Sequence, residues 1–375
     1  MKRFLVISLF FSLFSVACST ENKDISANVH KTIQPLIDEG AIVGLVTLVG
    51  DKDNIITIDT FGYADIKTKQ KMKNDTIFWI ASQTKSMTAS AIMILVDEGK
   101  INLDDPIEKF IPEFANIKVK EGDKLVPANS KPTVRQILAH TAGFDYFSTP
   151  DIPLVDARPI AESAKLYAKE PLKFQPNGKF SYSNVGYNIA GRIIEIVSGM
   201  PYEKFMQERL LNPLEMRETT FIPTEEQLKR LAKIYDWDDK TKKFSETELS
   251  FFTKPFNKPD RQPLPAGGYF STAEDIYKFC KMLLNNGVYN GKRILSENAI
   301  KEMTIKQTPD NEKHPYGLGF IIMGDGKYMH GGACGTQMGV DAKNGKIYVY
   351  LIQIGNKKHP KGGERVFGKF IWAAY

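Results

Sequence analysis

The sequence contains few residues of the kinds that bind metals or form disulfide frameworks. Only 3 cysteines and 5 histidines occur among its 375 residues, and neither a C-x-x-C nor an H-E-x-x-H motif is present. So few thiols exclude a disulfide-rich scaffold, although Cys280 and Cys334 can still pair in an exported chain. We therefore expect the fold to depend on its hydrophobic core, and we predict no metal site.

The chain also lacks a long block of charge of one sign. Lysine and arginine number 50, aspartate and glutamate number 44, and the resulting net charge of +6 is spread along the chain. Because no basic stripe concentrates this charge, the sequence does not predict nucleic-acid binding. Repeats and low-complexity tracts are absent, and a composition of 42% hydrophobic and 25% charged residues is typical of a globular protein.

A long apolar run occurs only at the N-terminus. There Lys2 and Arg3 precede the segment FLVISLFFSLFSVA, which ends in small residues before Cys18. This pattern predicts a secretory signal peptide at residues 1–17 instead of a membrane-spanning helix. The S-V-A-C ending resembles a bacterial lipobox, although Ser15 stands where leucine is usual.

A lipobox implies that Cys18 is lipidated and becomes the mature N-terminus. The alternative is cleavage by the general signal peptidase, which leaves no anchor. The polar residues 18–26 predict a tether, followed by one domain at residues 27–375. We therefore expect an exported protein of the cell envelope, periplasmic or on the outer surface, held to a membrane by a lipid on Cys18.

Helix and strand signals are segregated along the chain. Strand signals lie at residues 41–64 and 316–355, and helical signals at 27–40, about 90–260 and 362–375. Long loops at 116–132 and 144–160 interrupt the helical region, and loops of that length tend to be functional or mobile. Segregated elements predict an α+β fold, with an antiparallel sheet built from both chain ends and a mainly helical region inserted between them.

The segment FWIASQTKSMTA places Ser82 three residues before Lys85 at the start of a predicted helix. Residues so spaced share one face of a helix. A serine becomes a nucleophile when a neighbouring group takes its proton, and a lysine can take it when burial favours its neutral form. Taken alone, the segment favours a helix-capping serine beside a solvated lysine over a nucleophile beside its base.

Two further motifs favour the catalytic interpretation. Tyr182-Ser183-Asn184 is the only Y-x-N in the chain and immediately precedes a predicted helix. His330-Gly331-Gly332 lies on a predicted strand, where glycines weaken the strand unless something must approach its backbone closely. The simpler alternatives are a capping residue beside a tyrosine in the first motif, and a bulge with an exposed histidine in the second.

The order S-x-x-K, Y-x-N, H-G-G resembles the serine β-lactamase and penicillin-binding-protein family. Within that family it is most similar to the subgroup of class C β-lactamases, DD-carboxypeptidases and related esterases. The segments QILAHTAGF, YSNVGYNIAGRIIEIVSG, LNPLEMRETTF and PAGGYFSTAED extend the resemblance over about residues 30–375. It implies a β-lactamase/transpeptidase-like fold and a mechanism without metal or organic cofactor.

The resemblance also implies roles for the motif residues. Ser82 would be acylated, while Lys85 and Tyr182 would share the proton transfer, with Tyr182 the favoured general base. Asn184 would hydrogen-bond the substrate amide or orient Lys85. The backbone N–H groups of Ser82 and Ala333 would form an oxyanion hole for the charge that develops in the transition state.

The third motif departs from the family pattern. Gly331 and Gly332 would let the acyl group lie beside the strand, but His330 stands where many members have lysine. A histidine is largely neutral near pH 7, so this position argues against an efficient β-lactamase. His140 is expected to organise a turn. Paired with Asp145 it would suggest a Ser-His-Asp triad, but no G-x-S-x-G motif supports one.

The sequence therefore predicts an exported serine hydrolase that forms a Ser82 acyl-enzyme on an amide or ester carbonyl. The first hypothesis is a DD-peptidase-like or penicillin-recognising enzyme that acts on a small molecule or a peptidoglycan-type peptide. The second is an esterase of the same fold for small acyl groups. A third, from a different class, is a surface lipoprotein that binds without catalysis.

Overall fold

The computed structural model describes residues 24–355, 357–362 and 364–374. The predicted signal peptide at residues 1–17 and the predicted lipidation site Cys18 lie outside these residues. Across the part of the chain that is described, no helix is both long enough and apolar enough to span a bilayer.

The described chain begins in helix α1, residues 24–38, so the tether prediction was wrong at residues 24–26. Ile25 continues the apolar stripe of this helix and packs in the same hydrophobic cluster as Val29. Ser26 Oγ donates a hydrogen bond to Asp59 Oδ1 at 2.6 Å. These contacts extend the helix into a segment whose polar composition had indicated a tether.

The chain then forms a hairpin, two short strands and a buried helix. In chain order these are β1 (Gly44–Asp51), β2 (Ile55–Asp65), β3 (Gln70–Lys71), β4 (Phe78–Trp79) and, after a 3₁₀ turn at Ala81–Gln83, α2 (Thr84–Asp97). Twelve consecutive residues of α2, Thr84–Leu95, are buried. A helix buried on all sides belongs at the centre of the molecule. Because α2 begins at Thr84, just after Ser82, it fixes the nucleophile turn next to this buried centre.

The middle of the chain is mainly helical but contains two hairpins that the sequence analysis missed. The elements are β5 (Lys118–Glu121), β6 (Lys124–Pro127), α3 (Val134–Leu138), α4 (Ile160–Tyr167), α5 (Asn184–Ser198), α6 (Tyr202–Met206), α7 (Glu225–Lys229), β7 (Ile234–Asp238) and β8 (Lys243–Thr247). The β5–β6 hairpin lies in the predicted loop 116–132. Most of its strand residues are exposed, so it lacks the alternating apolar pattern of a half-buried strand.

The C-terminal part returns to the sheet. It contains β9 (Phe270–Ser271), α8 (Ala273–Leu284), β10 (Val288–Tyr289), β11 (Lys292–Arg293), α9 (Glu297–Thr304), β12 (Ile321–Gly324), β13 (Lys327–Gly331), β14 (Gln337–Asp341), β15 (Lys346–Ile352) and α10 (Glu364–Ala374). The predicted strand region 316–355 and the closing helix are confirmed: the region forms the antiparallel pairs β12–β13 and β14–β15, and α10 follows them.

One seven-stranded antiparallel sheet joins the two ends of the chain, in the order β12-β13-β14-β15-β1-β2-β3. Strand β1 alternates between its two faces, as the period of two requires. Val46 and Leu48 pack in the core shared with α2 and α5, whereas Leu45 and Val49 pack under α1 and α10. The α+β prediction, with a sheet assembled from both ends, is confirmed.

Candidate active site

Ser82 lies in the 3₁₀ turn between β4 and α2. The residues that lead into the turn are anchored to the segment 267–269, because Ile80 N–H donates to Tyr269 O at 3.0 Å and Trp79 Nε1 donates to Gly267 O at 2.7 Å. Ala81 adopts a positive φ of 48°, which is uncommon for a residue with a Cβ. The serine does not cap helix α2, which has no side-chain cap, so its hydroxyl is available for other contacts.

Lys85 is fully buried beside Ser82. Its Nζ lies 3.2 Å from Ser82 Oγ, 2.7 Å from Asn184 Oδ1 and 2.5 Å from Ala266 O. None of these neighbours is a carboxylate, and burial lowers the pKa of the Lys85 ammonium well below its ordinary value. The solvated lysine of the simpler interpretation is therefore excluded.

Tyr182 completes the group around the nucleophile. Lys85 Nζ lies 4.8 Å from the centroid of the Tyr182 ring. Burial raises the pKa of the Tyr182 phenol, and hydrogen bonding with Ser82 offsets only part of that rise. The phenol is therefore neutral in this arrangement.

His140 holds the segment Tyr182-Ser183-Asn184 in place. Its Nδ1 accepts a hydrogen bond from Ser183 N–H at 3.0 Å, and its ring lies 4.3 Å from that of Tyr182, centroid to centroid. Ser183 Oγ in turn caps helix α5 by accepting from Gly186 N–H at 3.0 Å. His140 thus organises the turn, as expected. Asp145 Oδ1 lies 2.6 Å from Lys173 Nζ. Asp145 is thus paired with a lysine and does not form a catalytic triad with His140.

The structure brings the two residues of the predicted oxyanion hole to one place, because Ser82 and Ala333 line the same cavity. Gly332 allows this closeness, because a Cβ added to it would lie 2.4 Å from Ile80 O and 2.2 Å from Thr336 Oγ1. The glycine therefore lets the end of β13 approach the nucleophile turn.

His330 does not line this cavity. Its side chain is buried, with Nδ1 2.8 Å from Gly331 O and Nε2 2.8 Å from the Tyr316 hydroxyl. A carbonyl only accepts, so Nδ1 carries the proton and Nε2 accepts from Tyr316. Burial, with a contribution from Lys85, lowers the pKa of His330 to about 3. The imidazole is neutral and supplies no cation to a substrate.

The cavity at Ser82 has a volume of about 300 Å³ and a mainly apolar wall. Its lining comprises Trp79, Ala81, Ser82, Tyr146, Phe147, Asp151, Ile152, Pro153, Val155, Asn184, Asn188, Phe251, Leu264, Ala266, Gly267 and Ala333. Within the described part of the chain, no lysine or arginine belongs to this lining. The site therefore favours an uncharged, apolar substrate group.

The sequence analysis missed a polar chain behind the nucleophile. Asn188 Oδ1 accepts from Ala266 N–H at 3.3 Å, and its Nδ2 donates to the Tyr167 hydroxyl at 3.1 Å. That hydroxyl donates to Asp151 Oδ1 at 2.6 Å. The chain fixes Ala266, whose carbonyl contacts Lys85. The only signal in the sequence was the segment PAGGYFSTAED, which contributes to the family resemblance but was given no role.

Other candidate residues take no part in this site. Cys280 and Cys334 are both free and buried, and burial raises the pKa of the Cys334 thiol to about 12. Their pairing is therefore not observed. In residues 24–355, 357–362 and 364–374, no group of three or more potential ligands is arranged to hold a metal ion.

Comparisons with known proteins agree with this geometry. The profile of the Beta-lactamase family matches residues 29–367. Protein Rv1367c of Mycobacterium tuberculosis is 29% identical over 359 residues, which cover 86% of this chain and 88% of that protein. A Salmonella typhimurium protein named "Putative D-alanyl-D-alanine carboxypeptidase" is 26% identical over 378 residues, covering 89% of this chain and 84% of that protein.

A solved structure is similar across almost the whole fold. EstCE1, described as a hydrolase with promiscuous acyltransferase activity, superposes with a TM-score of 0.81. It is 22% identical, and the match covers 94% of this chain and 99% of that one. The chain belongs to the Beta-lactamase family and is a serine hydrolase with the β-lactamase/penicillin-binding-protein fold.

Proposed function

We propose that this protein hydrolyses carboxylic esters with an apolar acyl group through an acyl-enzyme on Ser82. The observation that carries the proposal is the cavity itself, which is apolar and has no cationic side chain in its described lining. A peptide that ends in a carboxylate needs a positive partner, and an acyl ester does not. The cavity therefore supports the esterase hypothesis ahead of the DD-peptidase hypothesis, which is the reverse of their order from the sequence.

The hydrogen bonds of Lys85 favour it as the general base. Asn184 Oδ1 and Ala266 O only accept, so they take two Nζ protons. A neutral amine then has its lone pair directed to the Ser82 hydroxyl, 3.2 Å away. The opposite pKa shifts support the same assignment, because burial disfavours both a lysine ammonium and a tyrosine phenolate.

Acylation follows from these positions. Lys85 takes the hydroxyl proton as Ser82 Oγ forms its bond to the carbonyl carbon, and the N–H groups of Ser82 and Ala333 stabilise the oxyanion. Tyr182 gives its proton to the departing alcohol oxygen as the C–O bond breaks, and it regains a proton from Lys85. Water then takes the place of the alcohol. The same residues make the reverse proton transfers during deacylation, and the carboxylic acid is released.

A DD-peptidase activity is the second candidate, and the name of the Salmonella relative favours it. Asn184, at the edge of the cavity, supports it as well, since its amide could bond a peptide substrate in addition to Lys85. A surface protein that only binds is disfavoured because a binder does not need the assembled Ser82, Lys85 and Tyr182.

The test is a substrate panel applied to the wild type and Ser82→Ala. It contains a p-nitrophenyl acyl ester, nitrocefin, a D-Ala-D-Ala peptide and a fluorescent penicillin. We expect ester turnover that Ser82→Ala abolishes. Peptide cleavage or penicillin labelling without ester turnover would select the second candidate, and no turnover or adduct with any probe would exclude the enzyme proposal.

We propose, from the N-terminal sequence, that the protein is exported to the cell envelope and anchored by a lipid on Cys18. The basic residues, the apolar run and the S-V-A-C ending support this proposal. The measurement is the mass of the mature protein and its partition between membrane and soluble fractions. A soluble protein without an acyl mass on Cys18 would contradict it.

A further inference from the structure

Four large hydrophobic side chains are exposed at the mouth of the Ser82 cavity. Ile152 is 70% exposed, Tyr146 47%, Phe147 42% and Phe251 37%, and all four belong to the cavity lining. We call these four residues the apolar rim. Single exposed hydrophobic residues are ordinary, but several together around one cleft indicate a binding surface.

The rim is built from two segments that are held together by buried polar contacts. Tyr146, Phe147 and Ile152 come from the connection before α4, and Phe251 comes from the connection after β8. Val155 N–H donates to Phe251 O at 3.0 Å and joins the two segments directly. The rim therefore has a defined position over the cavity.

A buried ion pair reinforces this junction. Asp156 Oδ2 lies 2.7 Å from Arg261 Nε, and both side chains are almost fully buried. Asp156 Oδ1 also accepts from Thr253 N–H at 2.8 Å, and Arg261 Nη1 donates to Phe221 O at 2.9 Å. These contacts connect the segment before α4 to residues that follow β8 and to Phe221, so the exposed rim does not belong to an unanchored loop.

The cavity is continuous with the rim and receives the acyl side of the ester. Tyr182, which protonates the leaving oxygen in the proposed mechanism, is absent from the cavity lining. The leaving group therefore lies towards Tyr182, and the acyl chain extends from Ser82 into the cavity and out towards the rim. An alkyl chain too long for about 300 Å³ would cover the exposed rim surface.

We infer that the rim is an acyl-chain subsite, which selects esters whose hydrocarbon chain reaches beyond the cavity. This inference rests on the proposed ester hydrolysis and adds the substrate class. Covering exposed apolar surface removes it from water and stabilises the bound chain and the transition state alike. The preference for longer over shorter acyl chains should therefore depend on the rim.

The experiment compares p-nitrophenyl acetate with p-nitrophenyl octanoate, both as monomers in solution, so that only the acyl chain changes. The rim variant is Phe147→Ser with Ile152→Ser. The matched control is Leu125→Ser with Met323→Ser, two residues that are 62% and 59% exposed and do not line the cavity. Tyr146 is left intact because its ring lies 6.0 Å from that of Tyr182.

We expect the ratio of kcat/KM for the octanoate to kcat/KM for the acetate to fall roughly tenfold in the rim variant, mainly through a higher KM for the octanoate. The control should cleave both esters normally. The inference would be overturned if the rim variant had the same octanoate-to-acetate ratio of kcat/KM as the wild type. This would hold even if the variant lost binding to lipid vesicles, because the rim would then contact a membrane and not the acyl chain. If the wild type cleaves neither ester, the proposed function itself fails. Failure of the inference alone looks different, because the wild type then cleaves the acetate and the rim variant keeps the wild-type octanoate-to-acetate ratio.

Discussion

Lys85 and Tyr182 are the two residues whose proposed roles differ from the roles that the family resemblance implied. The resemblance had favoured Tyr182 as general base. In the structure Lys85 is buried without a carboxylate partner, and burial raises the pKa of Tyr182. A phenol with a raised pKa is a poor base at neutral pH but can still donate a proton to an alkoxide that leaves.

A change of leaving group separates these roles. Because p-nitrophenolate departs without a proton, Tyr182→Phe should slow cleavage of a p-nitrophenyl ester far less than that of the corresponding methyl ester. We expect the two losses in kcat/KM to differ by about 10²-fold, whereas Lys85→Met should lose about 10²- to 10⁴-fold with both esters. Equal losses with both esters in Tyr182→Phe would show that Tyr182 is the base.

Residue identity was predictable, but side-chain direction was not. The sequence order of Ser82, Lys85 and Tyr182 already indicated that they meet, and the fold brings them together. The direction of His330 depends on Tyr316, which is distant from any motif and supplies the hydrogen bond to Nε2. A single sequence carries no signal for such a partner, so it could not show that the His330 side chain lies outside the lining of the Ser82 cavity.

At the scale of elements, the junction of strand β13 with the nucleophile turn depends on Gly332. The sequence analysis explained this glycine by the approach of a substrate. The structure adds a contact within the protein, since the space a Cβ would occupy is taken by Ile80 O and Thr336 Oγ1. The neighbouring strand offers a control at Gly339, where an added Cβ would meet nothing closer than 3.6 Å.

Gly332→Ala should push the end of β13 away from Ile80 and misplace the Ala333 N–H. We expect roughly a 100-fold loss in kcat, since displacements of about 1 Å have effects of that size, and about 1–3 kcal/mol of overpacking cost in the free energy of unfolding. Gly339→Ala should keep activity and stability near those of the wild type. Normal activity in Gly332→Ala would contradict the proposed oxyanion geometry.

Elements with an apolar pattern were predictable, whereas polar ones were not. The β1–β2 and β14–β15 hairpins alternate or bury their side chains and were identified. The β5–β6 hairpin exposes most of its side chains and was assigned to a loop. The apolar rim was missed for another reason, because its residues come from two connections that meet only in the folded chain.

For the whole molecule, two buried neutral histidines make stability depend on pH. His140 and His330 are both buried, and the pKa of His330 is lowered from 6.5 to about 3. Below pH 6.5 the His330 side chain is protonated in the unfolded chain, whereas in the folded protein it stays neutral down to about pH 3. Stability contributed by the neutral imidazole is therefore lost as the pH falls through this window.

His330→Gln should weaken this acid sensitivity. Between pH 6.5 and about pH 5, the wild type should lose about 1.5 kcal/mol more of its free energy of unfolding than the variant does. Denaturant unfolding at both pH values measures this difference. Because each protein is compared with itself at two pH values, an overall loss of stability in the variant does not affect the result. The same dependence on pH in both proteins would show that His330 is not held neutral in the folded state.

The proposed mechanism requires Ser82 to carry the acyl group during turnover. The direct measurement is intact-protein mass spectrometry after rapid mixing with a p-nitrophenyl ester, followed by peptide mapping, for the wild type and Ser82→Ala. We expect a mass increase equal to one acyl group, located on the peptide that contains Ser82 and absent from Ser82→Ala. Ester turnover that survives in Ser82→Ala, or an acyl group on another residue, would contradict it.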